Sequence, residues 1–174
     1  MKVLLLLTAT ILFVQMGCAQ KPNPPGLCQD PAFDQKVNSL IQYSVPTISV
    51  KELEEVQNEV HILDARELEE YEVSHIAGAK YLGYKNFDKS RLKDIPKEDK
   101  VVVYCSVGYR SEKIGEQLQD LGYKDVYNLY GSIFEWVNQG NPVEDNEGNK
   151  TNKVHTYNKQ WSKWVDGQKV EKIW

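Results

Sequence analysis

Cysteine and histidine are scarce in this 174-residue chain: three of each, with no Cys-x-x-Cys pair and the histidines scattered at positions 61, 75 and 155. Structural and catalytic metal sites need clustered thiolates, imidazoles or carboxylates, so no metal is expected, and no motif requires an organic cofactor. A basic excess is also missing. Lys and Arg number 21 against 25 Asp and Glu, a net charge of −4, and the central region carries no strong basic patch. Nucleic-acid binding leans on such a patch and is therefore not expected. Apolar length is limited too. Val3 to Val14 is almost wholly apolar, but this falls short of the roughly 20 residues of a spanning helix. What is present suits one globular domain with terminal additions, since 41% of residues are hydrophobic.

The apolar run reads as targeting. Lys2 supplies a short positive region ahead of it, and Gln15-Met-Gly17-Cys18-Ala19 follows, the layout of a secretory signal over residues 1–19. Two cleavages fit. Gly17 and Ala19 meet the small-x-small rule of signal peptidase, which would release a chain beginning at Gln20. Gly17-Cys18 also resembles the end of a bacterial lipobox, which would leave Cys18 lipid-bearing and the protein attached to a membrane. Gln15 and Met16 depart from the usual lipobox, whereas the tether-like Lys21-Pro-Asn-Pro-Pro25-Gly26 suits an anchored chain. Either way the expected location is the bacterial periplasm or cell envelope, where spare thiols tend to pair. With Cys18 lipidated, Cys28 is read as a resolving thiol for Cys105 or as a passive linker cysteine; with Cys18 free, a Cys18–Cys28 bridge is open.

The densest chemistry lies at Val101-Val-Val-Tyr104-Cys105-Ser-Val-Gly108-Tyr-Arg110-Ser111. Three consecutive β-branched residues predict a buried strand. Ile114, Leu118 and Leu121 then recur at helical spacing, with Gly122 at the C′ position. Cys105 thus sits at the carboxyl end of a strand and near a helix N-terminus. Open α/β sheets bind ligands there, and the amides and dipole at such a point favour an anion. That setting lowers a thiol from about 8.5 into the range of roughly 3.5–7.5. The competing reading is a buried cysteine acting as a small hydrophobe; the glycine and arginine of the loop argue against it.

The flanking sequence alternates strands with helices. Asp30-Pro31 opens a short helix with Phe33, Val37, Leu40 and Ile41 on one stripe. Ser49-Val-Lys-Glu52 is a capping box, with Ile48 and Leu53 placed as its hydrophobic staple. Val60-His-Ile-Leu63 predicts a short strand ending at Asp64, Asp125 to Leu129 another, and Ile133 to Gln139 a short helix ending at Gly140. The pattern points to an α/β fold, a parallel sheet with helices on both faces.

Three segments resemble a known family. Asp64-Ala-Arg66-Glu-Leu-Glu-Glu70-Tyr71-Glu-Val-Ser74-His75-Ile76-Ala-Gly78-Ala79 resembles the first signature of rhodanese domains, Cys105 to Arg110 their active-site loop, and Asn128-Leu-Tyr-Gly131-Ser-Ile-Phe-Glu-Trp136 their closing segment. The resemblance covers about residues 46–142, and it implies a single-domain sulfurtransferase of rhodanese-like fold, which with the N-terminal segment reads as an exported bacterial member. Cys105 would take a sulfane sulfur from a donor such as thiosulfate, polysulfide or a persulfide, hold it as a persulfide, and pass it to a thiol or cyanide-like acceptor. The alternative is a rhodanese-fold module that binds partners or carries sulfur with little turnover. In the enzyme reading, loop residues Ser106, Val107, Gly108, Tyr109 and Ser111 would cradle the terminal sulfur, and Arg110 would face an anionic donor. Only four residues separate Cys105 from Arg110, one fewer than in related phosphatases, which favours sulfur over phosphorus. Ser106 stands where thiosulfate-preferring members often carry a basic residue. Asp64 and Arg66 would support the loop, with Arg66 pairing with Glu70 one helical turn on. His75 would hydrogen-bond the backbone of the turn before Gly78.

The domain organisation expected is a signal at 1–19, a tether and short helix at 20–45, the rhodanese domain at 46–142 and an extension at 143–174. From Lys150 the extension carries six lysines interleaved with Tyr157, Trp161, Trp164 and Trp174. It reads either as a basic aromatic surface for an anionic membrane or as an arm packing its tryptophans on the domain, with a hairpin turning at Asp166-Gly167.

Overall fold

The computed structural model describes residues 26–174. The expected signal, the lipid attachment at Cys18, a Cys18–Cys28 bridge and the start of the tether fall outside the described residues. Helix α1 (Pro31–Leu40) begins where Asp30 accepts the Ala32 amide and Pro31 takes the first helical position. After β1 (Thr47–Ile48), the Ser49–Glu52 capping box closes as expected at the head of α2 (Val50–Val56), with Ile48 and Leu53 both buried. Strand β2 (His61–Asp64) leads to α3 (Leu68–Val73), followed by the short β3 (His75–Ile76) and β4 (Lys80–Tyr81). The valine run forms β5 (Lys100–Tyr104), and the helical pattern after the cysteine forms α4 (Tyr109–Asp120), which Gly122 ends at φ +90°. Strand β6 (Asp125–Leu129) and α5 (Ser132–Asn138) complete the alternation.

The main sheet has the order β1-β6-β5-β2-β4, with every pairing parallel. Neighbouring side chains on a strand point to opposite faces. Val101 and Val103 of β5 accordingly pack with Ile114 and Leu118 of α4, while Val102 and Tyr104 pack with α1, α2 and α5. Helices thus cover both faces, which is why β5 is apolar without alternation. The chain leaves β2 toward β4 on one side and leaves β5 toward β6 on the other. The loops at the carboxyl ends of these two neighbours therefore diverge and open a crevice.

The remaining strands are short: β7 (Val143–Glu144), β8 (Lys150–Thr151), β9 (Lys153–His155) and β10 (Glu171–Ile173). β7 lies antiparallel between β3 and β8. β9 and β10 pair in parallel, so the hairpin expected at Asp166-Gly167 does not form. A tight turn cannot join parallel neighbours. Residues 156–170 instead cross over while docking on the domain: Asn138 Nδ2 donates to the Trp164 carbonyl, and Asn138 Oδ1 accepts the Asp166 amide, each at 2.9 Å. Trp161 and Trp164 pack on the core, whereas Trp174 is exposed. Among the described residues no helix is long and apolar enough to cross a membrane.

Phe33 joins the terminal segments to the domain. Fully buried, its ring lies 6.4 Å from that of Phe134 in α5 and 5.6 Å from that of Trp164. Phe33→Ala is expected to lower the unfolding free energy by about 3 kcal/mol or more, read from the urea midpoint at constant slope. A loss below about 1 kcal/mol would mean that α1 docks outside the cooperative unit.

Candidate active site

Cys105 follows the last residue of β5 and is buried. Its amide donates to Ser132 Oγ at 3.1 Å, and its carbonyl accepts the Ile133 amide at 3.2 Å. The Ser106 carbonyl accepts the Phe134 amide at 3.2 Å. The first two loop residues are thereby pinned to the start of α5. The chain enters that helix through Gly131 at φ +71°, where a Cβ would lie 2.6 Å from Glu135 Cβ. At the other end of the loop Gly108 adopts φ +119°, which an L side chain rarely tolerates. This turns its amide onto Cys105 Sγ at 3.2 Å, while its carbonyl accepts Asn128 Nδ2 at 3.0 Å. Asn128 Oδ1 in turn accepts the Ser111 hydroxyl at 2.7 Å. Neither Ser132 nor Asn128 was expected as a loop support, although both lie in the segment that resembles the family's closing motif.

Burial alone would raise the Cys105 thiol. The positive charge of Arg110, together with donors on Ser111 and Gly108, outweighs it and holds the thiol below its ordinary value. The Ser111 hydroxyl gives its proton to Asn128, so backbone amides, that of Gly108 at 3.2 Å among them, are the direct donors to Sγ.

Arg110 lies in the wall of the cavity that holds Cys105, with its guanidinium already paired inside the protein. Its Nη1 and Nη2 donate to the Glu70 carboxylate at 2.6 and 2.8 Å, and Nη2 also donates to Ser106 Oγ at 2.9 Å. The Ser106 hydroxyl donates to Glu70 Oε1 at 3.0 Å. Burial raises the Glu70 carboxyl, but the hydrogen bonds and charge of Arg110, helped by the charge of Arg66, bring it down to about 2. The pair is therefore ionised at neutral pH. Its physical reason is the buried carboxylate of α3, which needs a bonded cation.

Arg66 does not pair with Glu70, a correction to the expectation. It precedes α3, so the i,i+4 geometry of a helix surface is not available to it. Instead Nε and Nη2 donate to the Asp64 carboxylate at 3.0 and 2.7 Å, and Nη2 reaches the Ser74 carbonyl at 2.6 Å; both side chains are fully buried. Glu70 is the N3 residue of a capping box and accepts the Glu67 amide at 3.0 Å. His75 also has a different partner from that expected. Its Nδ1 meets the Tyr71 carbonyl at 3.1 Å, and its ring stacks on Tyr71 at 3.9 Å. The turn before Gly78 is tied by the Ala79 amide to the Ile76 carbonyl at 2.9 Å.

A cavity of about 360 Å³ opens above Cys105, with Ser106, Val107, Tyr109 and Arg110 in its wall. The structure therefore brings together most of the expected loop residues and leaves Asp64, Arg66 and His75 out of the cavity. Sequence reasoning missed the rest of the wall: Leu40 from α1, Glu67 before α3, Tyr84 and Lys85 after β4, and Tyr157 and Trp161 after β9. The aromatic interleaving of the extension was the only signal for the last two. Cys28 is buried and has no disulfide partner among the described residues. Burial first, then the carboxylates of Glu135 and Asp34, push it far above the ordinary value, so its thiolate is disfavoured.

Comparison with known proteins agrees with this geometry. Residues 49–139, more than half of the chain, match the Rhodanese-like domain. GlpE of Coxiella burnetii (strain RSA 331 / Henzerling II), named a thiosulfate sulfurtransferase, is 34% identical over 80 residues, which is 46% of this chain and 74% of that protein. YrkF of Bacillus subtilis (strain 168) is 31% identical over 97 residues, covering 54% of this chain; the chain spans about half of YrkF, 52% of its length. A rhodanese-like domain protein from Staphylococcus aureus superposes with a TM-score of 0.50 at 28% identity, covering 57% of this chain and 97% of that one. The rhodanese-like domain of the Alr3790 protein from Anabaena sp. shares the fold, with a TM-score of 0.54 at 22% identity over 57% of this chain and 79% of its own. With a match that runs from the N-cap of α2 to the end of α5 and includes the Cys105 loop, this chain belongs to the rhodanese-like domain family.

Proposed function

We propose that the protein is a sulfurtransferase working through a persulfide on Cys105. The observation that carries the reading is a lowered thiol at the base of a cavity, inside a loop whose Gly108 amide already points at Sγ. The Cys105 thiolate attacks the sulfane sulfur of the donor; the new S–S bond forms as the donor's bond breaks, and its electron pair leaves with the donor remnant, sulfite in the case of thiosulfate. An acceptor thiolate then attacks the outer sulfur, takes it as its own persulfide and returns the Cys105 thiolate. The loop donors hold negative charge at Sγ in both states, before attack and after release. A sulfurtransferase name on a relative of 34% identity supports the same chemistry.

A second reading keeps the thiol but drops rapid turnover. Glu70 engages the cation of the loop, Arg110, which weakens the pull on an anionic donor and suits a module that receives sulfur from a partner. As for location, Lys2, the apolar run to Val14 and Gly17-Cys18 support export, with attachment through Cys18 or release at Gln20 as the two forms.

Incubating the chain with thiosulfate or polysulfide is expected to add one sulfur atom to its intact mass, reversibly with a reducing thiol and not at all in Cys105→Ser. Absence of the adduct with both donors would remove the persulfide mechanism. Arg110 can be tested through the thiol itself. Arg110→Gln alone strands a buried carboxylate, so the double variant Glu70→Gln/Arg110→Gln is the better probe. The pH at which alkylation of Cys105 reaches half its maximal rate is expected to rise by about one pH unit or more in the double variant. The sign follows because the Arg110 cation acts on the thiol more strongly than the Glu70 carboxylate removed with it, so the thiolate loses net support; an unmoved midpoint would show that the loop amides alone set it.

A further inference from the structure

The walls of the cavity bear on which donor it takes, an inference that rests on the sulfurtransferase reading above. Three observations converge. The first is charge. Arg110 is held by Glu70 on both terminal nitrogens and by Ser106, and the Tyr157 ring lies over its guanidinium with the carbon 5.3 Å from the ring centre. The other charged residues of the wall, Glu67 and Lys85, offset each other. A small dianion would find little net positive charge here.

The second is size and lining. The volume of about 360 Å³ lies within the roughly 300–1,000 Å³ of sites that hold small organic ligands. Rings and aliphatic groups from Leu40, Tyr84, Val107, Tyr109, Tyr157 and Trp161 make up most of the wall. A bare inorganic anion would leave that surface uncovered.

The third is Tyr157 itself. Its φ is +65°, a conformation that a bulky side chain rarely adopts. The Asn158 amide donates to the Thr156 carbonyl at 2.7 Å, closing a tight turn around it, and the Tyr157 amide donates to His155 Nδ1 at 3.1 Å. The Thr156 amide is anchored on the Ile173 carbonyl at 2.7 Å, so the β9–β10 pairing holds the turn in place. For this strained backbone the ring gains no burial in the core: 51% of the residue stays exposed, at the cavity mouth. An aromatic held under strain at the edge of a reactive site points to a role there.

We propose that Tyr157 and Trp161 form a specificity wall and that the donor is a low-molecular-weight organic persulfide, R–S–SH, whose apolar body rests on these rings while its outer sulfur meets Cys105. The Cys105 thiolate attacks the outer sulfur, the Sγ–S bond forms, and the bond between the donor's two sulfurs breaks with its electron pair leaving on R–S⁻. The transferred sulfur keeps its proton. Sulfur is passed between thiols without net oxidation, so no further reactant is needed.

The test is single-turnover loading of Cys105 by benzyl hydropersulfide and, separately, by thiosulfate, followed by the intact mass of the protein. Each rate is divided by that of the same donor with free cysteine, to remove intrinsic reactivity. The variants are Tyr157→Asn, which removes the ring but tolerates positive φ, and Tyr157→Phe, which keeps it. In the unaltered protein the normalised rate with the organic persulfide is expected to exceed that with thiosulfate about tenfold. Tyr157→Asn should cut the persulfide-to-thiosulfate ratio about five- to tenfold, as loss of an aromatic contact implies, and Tyr157→Phe should restore it. Equal normalised loading by the two donors, or a ratio unmoved in Tyr157→Asn, would overturn the donor assignment and leave sulfur transfer through Cys105 standing. No sulfur on Cys105 from either donor would overturn the sulfurtransferase reading, and the donor assignment with it.

Discussion

The ion pair between Glu70 and Arg110 is the constraint on which the site depends. It joins α3 to the first turn of α4 with Ser106 between them, and so ties the loop at the side chains of both Ser106 and Arg110. A buried ion pair is weak evidence for stability, because desolvation consumes much of the attraction, yet removal of one partner leaves an expensive charge behind. Its importance here lies in position. The Arg110 charge is the largest of the influences that lower the Cys105 thiol, and the Glu70 carboxylate next to it tempers the field. A thiolate that is too stable is a poor nucleophile, since intrinsic reactivity falls as the pKa falls. A paired arginine gives a thiol that ionises more easily while avoiding the extreme that a bare cation in a dry loop would produce.

The parts of the fold that were legible in the sequence are those fixed by neighbours a few positions apart. The β-branched run of β5, the 3.6-residue spacing of Ile114 and Leu118, the Ser49–Glu52 box and the Asp30–Pro31 start all rest on such short-range rules, and each element is where they put it. Polar partner choice was not legible. Glu70 and Arg110 lie 40 positions apart and meet only because β2 and β5 are adjacent and their loops diverge. Arg66 sits just outside a helix that sequence spacing counted it into. Asp166-Gly167 is a hairpin signal only where both flanks are free to run antiparallel, and here Asn138 fixes the approach to it from outside the segment. At the site itself the cysteine and its loop were readable, while the cavity walls drawn from α1 and the extension were not.

The short helix α5 explains why those terminal segments are where they are. Every residue from Ser132 to Asn138 is buried. A helix that starts under the Cys105 loop and packs on one sheet can bury only part of its circumference there; the rest needs a cover. Phe33, Val37 and Ile41 from the N-terminal side, with Val154 and Val165 from the C-terminal side, belong to the same apolar cluster as Ile133, Phe134 and Val137 and supply it. These covers lie outside the 49–139 stretch shared with the family.

The same docking decides what surrounds the reactive thiol. On its way to α5 with Val165 and Trp164, the chain leaving β9 lays Tyr157 over Arg110 and Trp161 in the wall of the same cavity. One stretch of chain therefore closes the core with one group of side chains and forms a wall of the cavity with another. Substitutions at Tyr157 are free of most packing constraints, because it is exposed, whereas Trp161 also packs on the core and Val154, Thr156 and Val165 are buried. Such a division lets the pocket change in shape and charge while the loop that holds Cys105 stays as it is.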